Sequence, residues 1–256
     1  EGLPFVAMRL MADRASDHSS WIGRTVSEAL KTGSLSERDR WRVVGEIAET
    51  LAFMHRKDVR HCDIKPGNIL LSSGDEPRAV ICDFGQSRTE GYDEGQAFGT
   101  LFFASPEQLR NPDEPSKRWD VYSFGVTAYQ ILTGKLPRLH DLSVQSAVGA
   151  PVDDVGFEME ATLIQQKDVE TEPEFAGVIE PSVVADQIEC EPEISIPGGL
   201  TPAQRDTFEL LKTCLSPSGD RFGDMEQVVA AMEEAERKRV IAVERRKQTV
   251  LASLMV

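Results

Sequence analysis

Cysteine, positive charge and long apolar runs are all scarce in this chain, and each shortage removes a class of protein. Four cysteines, Cys62, Cys82, Cys190 and Cys214, lie far apart with no CxxC pair. That spacing reads as reduced thiols in a cytoplasmic setting, not as a disulfide frame or a zinc site. Lys and Arg number 28 against 43 Asp and Glu, a net charge of −15. Nucleic-acid binding needs a basic face to meet phosphate, so no nucleic-acid partner is expected. No apolar run approaches the ~20 residues of a membrane span, no internal repeat stands out, and no signal peptide is expected. What is there, 256 residues with 40% hydrophobic and 28% charged side chains, suits one large core or two modest ones.

Patterning places the elements. LPFVAMRLM, residues 3–11, reads as a strand, so the chain opens in mid-strand as a cut fragment would. MADRASDHSS is a polar connector, and WIGRTVSEALKTG reads as a short helix closed by Gly33. Ser36, with Asp39 three residues on, opens a helix in which Trp41, Val44, Ile47, Leu51 and Met54 recur at three- and four-residue spacing. NILLSS and RAVICDF are β-type runs on either side of SSGDEP, a hairpin signal. Helical patterns follow at SPEQLR and WDVYSFGVTAYQILTG. Residues 140–199 carry 14 acids against Lys167 alone, with five prolines. Such composition predicts a solvated, partly disordered insertion, and an acidic docking surface for a basic partner is the functional alternative. Order returns with Thr201 as an N-cap, and a long helix candidate starts at DMEQVV and turns basic from Arg237.

The stretch VRHCDIKPGNILL, residues 59–71, places Asp63, Lys65 and Asn68 around Pro66 and Gly67. That composition cannot continue a helix, so the backbone turns and the polar groups converge on one loop. An ordinary polar turn is the plain reading. Asp83, at the end of the second β-type run, returns to the same place through the hairpin. A carboxylate and an amide oxygen meeting there suit a hard divalent cation finished by waters and phosphate oxygens. Lys65 supplies positive charge for a phosphoryl group, and Asp63 a carboxylate that can take or orient a hydroxyl proton.

HCDIKPGN, DFG, GTLFFASPE, WDVYSFGV and CLSPSGDRF stand in that order along the chain. Together they resemble the catalytic loop, metal-binding motif, activation-segment end, central helix and closing motif of eukaryotic-type (Hanks-type) serine/threonine protein kinases. The resemblance implies an α+β, protein-kinase-like fold, mainly the helical C-lobe with small β-hairpins and with most of the N-lobe absent. Residues 1–12 would be the last N-lobe strand and hinge, 13–232 the C-lobe, and 233–256 a basic C-terminal helix. It also implies ATP and Mg2+ as cofactors and a Ser/Thr-bearing protein as substrate. Asp63 resembles the catalytic base, Lys65 the γ-phosphate neutraliser, and Thr100 the threonine of the serine/threonine class. Asn68 and Asp83 resemble the magnesium ligands. Met8 resembles the gatekeeper, Arg9 through Met11 the adenine-facing hinge, and Leu70 the floor beneath the adenine. Asp120 resembles the aspartate that bonds the catalytic-loop backbone, Glu107 and Arg221 a buried ion pair, and His61 with Phe84 half of the regulatory spine.

Departures qualify the likeness. Cys62 stands where the family usually has the arginine that receives an activation-loop phosphate, so activation by that route is not expected. No glycine-rich loop, strand lysine or partnering glutamate lies in the chain, and truncation explains this better than loss. The full protein is then expected to be an active kinase, and this piece alone is not. A non-catalytic kinase-like binding module is the rival reading, opposed by the presence of Asp63, Lys65, Asn68 and Asp83 together. Cys62 and Cys82, each preceding a key aspartate, read as core thiols, with a redox switch as the alternative. At the C-terminus, six basic residues between 237 and 247 precede an apolar run. They read either as a solvated helix end or as the inner flank of a membrane anchor beyond Val256, which would tether the protein to the inner face of a membrane.

Overall fold

The computed structural model of the chain describes residues 12–14, 21–74, 76–84, 101–137, 181–190, 194–217 and 219–254. Strands β1 (Ala12–Arg14) and β2 (Trp21–Gly23) pair antiparallel with Asp13 opposite Ile22. Here the structure corrects two expectations, a polar connector at 12–14 and a helix beginning at Trp21. The reason is Thr25. Its backbone is extended and its Oγ1 accepts the Glu28 N–H at 3.1 Å, so helix α1 (Val26–Lys31) cannot begin before Val26. Gly33 closes the turn after α1 with φ +63°, a left-handed angle that suits glycine.

Helix α2 (Glu37–Arg56) is capped as expected. Ser36 Oγ accepts the Asp39 N–H at 3.2 Å and donates to Asp39 Oδ2 at 2.6 Å. Val44, Ile47, Leu51 and Met54 are buried along one face. Strands β3 (Ile69–Leu71) and β4 (Ala79–Ile81) form the expected hairpin, with Ile69 opposite Ile81. Helix α3 (Pro106–Arg110) is followed by α4 (Lys117–Thr133), which Gly134 ends at φ +76°. Every residue of α4 from Trp119 to Ile131 is buried, which makes it the central post of the fold. Helices α2, α6 (Pro202–Cys214) and α7 (Met225–Leu254) pack around it.

Residues 181–190 correct the expected solvated insertion at 140–199. They form helix α5 (Pro181–Cys190), which packs on α3 with Val184, Ala185 and Ile188 buried. Both acids on this helix pair within the chain: Asp186 and Glu189 grip Arg110 at 2.7 and 2.6 Å. Ile194 is also buried, and Tyr129 donates to the Ser195 carbonyl at 2.9 Å. Residues 138–180, which hold most of the acidic run, lie outside the described residues. Thr201 caps α6 in a reciprocal box with Gln204. Helix α7 continues without a break through 233, where the basic segment is expected to begin. Among the described residues no helix is long and apolar enough to cross a membrane.

Candidate active site

The loop between α2 and β3 leaves its helix, turns twice and enters the hairpin through a 3-10 turn at Pro66–Asn68. Pro66 begins that turn, where its missing N–H is no loss. Three non-glycine residues hold left-handed backbones, Asp58 at φ +56° and Cys62 at φ +66° in this loop and Asp83 at φ +63° just past the hairpin. Such angles cost about 1–3 kcal/mol each and persist only where neighbours enforce them.

The neighbours are identifiable. Asp120, fully buried on α4, accepts the His61 N–H at 2.8 Å and the Cys62 N–H at 2.7 Å. It also takes a hydrogen from His55 Nε2 at 3.0 Å, because His55 Nδ1 is occupied as acceptor of the Met225 N–H at 3.0 Å. A buried carboxylate is thus satisfied from α2 and the loop at once, with α7 fixing the His55 ring that serves it. His61 works the same way between the two aspartates. Its Nδ1 accepts the Asp63 N–H at 3.3 Å, so its Nε2 donates to the Cys82 carbonyl at 2.9 Å, and its ring lies 5.2 Å from that of Phe84.

Asp63 lies at the focus. It is 4% exposed, with Oδ2 held by Asn68 Nδ2 at 2.8 Å and Lys65 Nζ at 3.2 Å. Oδ1 is buried and has no hydrogen-bond partner among the described residues. Asn68 Nδ2 donates a second time to the Asp63 carbonyl at 2.8 Å, which fixes the amide and leaves its Oδ1 as the atom that could face a cation. The Asn68 carbonyl accepts the Cys82 N–H at 3.0 Å, so Asn68 is tied to the residue before Asp83. The open end of the hairpin therefore brings Asn68 and Asp83 together. An amide oxygen and a carboxylate suit a magnesium ion that keeps waters and phosphate oxygens as its other ligands.

Leu70 is half-buried on β3 and bridges to Thr25. Met8, Arg9, Met11 and Thr100 lie outside the described residues. Burial, and next the charge of Asp120, push the Cys62 thiol up to about 12, while burial and Asp83 raise that of Cys82. Thiols that keep their protons favour the core reading over a redox switch. Arg221 reaches Glu107 through both Nη atoms, Nη2 to Oε2 at 3.2 Å, and Nε donates to the Ser216 carbonyl at 2.8 Å. Arg221 is buried and Glu107 is only partly so, and the pair joins α3 to the loop before α7.

Two polar residues that shape the site were hidden in their helices. His55 lies on the apolar face of α2, four residues after Leu51, where a buried imidazole is the one available signal. Gln108, on α3, is buried and donates from Nε2 to the Cys62 carbonyl at 2.9 Å. Nothing in SPEQLR marks it.

A family model described as protein kinase domain matches residues 13–230. Serine/threonine-protein kinase dkf-2 of Caenorhabditis briggsae is 37% identical over 119 residues, 45% of this chain and 10% of that protein. Serine/threonine-protein kinase PknJ of Mycobacterium bovis is 35% identical over 121 residues, 45% of this chain and 20% of that one. A probable serine/threonine-protein kinase PknB of Bifidobacterium longum is 33% identical over 156 residues, 57% of this chain and 20% of its own length. The matched segments thus span no more than a fifth of these relatives.

Proposed function

The chain belongs to the protein kinase domain family, and on that premise we propose that its protein transfers the γ-phosphate of ATP to Ser or Thr hydroxyls of a protein substrate. The observation that carries the reading is the Asp63 carboxylate, fixed at Oδ2 by Lys65 and Asn68 with Oδ1 buried and unpartnered among the described residues. A buried oxygen left without a donor costs free energy in the resting protein and marks the place where a donor belongs. The donor is the substrate hydroxyl. Asp63 Oδ1 accepts its proton as the hydroxyl oxygen bonds to the γ-phosphorus and the bond from that phosphorus to the bridging oxygen breaks, releasing ADP, while Lys65 offers its ammonium to the phosphoryl oxygens.

Asn68 and Asp83 would hold magnesium, which when bound neutralises phosphate charge. The remaining work belongs to the chain. Asp120 and His61 keep the loop and the end of the hairpin in one geometry, so the base and the ligand pair stay in register. A non-catalytic binding module has no need of a fixed base beside a fixed ligand pair, and it is not favoured. In the full-length protein, Asp83→Asn is expected to lower magnesium-dependent phosphorylation of a protein substrate by at least about a hundredfold, with the fold intact. Wild-type rate in that variant would sink the assignment of Asp83.

A further inference from the structure

The peptide unit joining Cys62 to Asp63 is held at both ends. Its N–H, on Asp63, donates to His61 Nδ1 at 3.3 Å, and its carbonyl, on Cys62, accepts from Gln108 Nε2 at 2.9 Å. The plane of that unit sets the direction in which the Asp63 side chain leaves the backbone. Cys62 is left-handed, so the plane is not one the residue adopts unaided. Asp120 holds the amides of His61 and Cys62 but touches nothing on the carbonyl side. Gln108 alone among the described residues supplies a side-chain donor there.

Gln108 is well suited to the task. It is buried, it sits in the first turn of α3, and Ser105 Oγ caps its own N–H at 3.3 Å. Helix α3 is anchored in turn by Glu107 to Arg221 and by Arg110 to α5. We propose that Gln108 is a positioning residue for phosphoryl transfer: it fixes the Cys62–Asp63 peptide plane, and through it the base, from the helix that follows the activation segment. The inference rests on the phosphoryl-transfer reading of Asp63. It makes the attitude of the base depend on the seating of α3, without any cation at position 62.

Two variants of the full-length protein test this. Gln108→Met keeps the volume and removes the donor. Its kcat is expected to fall about tenfold with KM for ATP within about twofold, since the base is displaced and the nucleotide site is not. Hydrogen exchange at the amides of 61–63 should quicken while exchange in α4 stays slow. Gln108→Glu is the second arm and serves even where the methionine variant fails to fold. A protonated carboxyl donates to the Cys62 carbonyl and an ionised one cannot, so its kcat relative to wild type should rise as pH falls. Gln108→Met with kcat within twofold of wild type, or unchanged exchange at 61–63, overturns the proposal, as does a pH-independent ratio for Gln108→Glu. If wild type itself transfers no phosphoryl group, the functional reading falls, and exchange at 61–63 still decides whether Gln108 holds the loop.

Discussion

Cys62 combines a left-handed backbone, a buried side chain and a thiol pushed up to about 12. Cys214, against the central helix, is likewise raised from the ordinary value of 9.0 to about 12, chiefly by burial. In each case the folded thiol keeps its proton at pH values where the unfolded one loses it. The stability this contributes is whole below about pH 9 and is progressively lost as pH climbs toward 12. Denaturant unfolding between pH 8 and 11 is expected to show that decline, and Cys214→Ala to remove one thiol's share of the slope. An identical slope in the variant would contradict the assignment. The same residue scale shows what a sequence can disclose. Asp63, Lys65 and Asn68 are legible because they fall within six residues around Pro66 and Gly67, where the backbone has to turn. His55 and Gln108 are single polar residues in helices, and the letters are the same whether such a side chain meets solvent or a buried carbonyl.

Elements differ in legibility for a physical reason as well. Helix α2 is plain because its apolar residues keep a 3.6-residue period over five turns, and the β3–β4 hairpin because turn residues separate two β-type runs. Helix α5 is hidden because the acids around it dominate any average, although its buried face needs only Val184, Ala185 and Ile188. The late start of α1 is hidden because Trp21 and Ile22 suit a helix or a strand, and only the cap at Thr25 decides. Helix α4 meets α6 closely at Gly125, where an added Cβ would lie 2.9 Å from Leu215 Cγ and 3.0 Å from Cys214 Cβ. Neither helix can retreat, since both belong to the core. Gly125→Ala is therefore expected to destabilise the protein by about 1–3 kcal/mol through overpacking, despite alanine's better helix propensity. A melting temperature equal to wild type or above it would show that the contact relaxes freely.

Across the whole molecule, one buried post, α4, serves both the core and the chemistry. It packs against α2, α6 and α7, and its Asp120 carries the loop that presents Asp63. A loop built this way is held by buried hydrogen bonds beside Asp63 and is left-handed at Cys62, where the backbone turns toward it. The order of motifs discloses this architecture, since five of them keep their sequence along the chain, while Met8, Arg9, Met11 and Thr100 fall outside the described residues. The most direct test of the central claim is phosphate transfer from ATP to a Ser/Thr-bearing protein, measured in the full-length protein with wild-type Asp63 and with Asp63→Asn. The account expects clear transfer by wild type and a loss of at least about a hundredfold in the variant at unchanged melting temperature. Equal rates in the two proteins would contradict it.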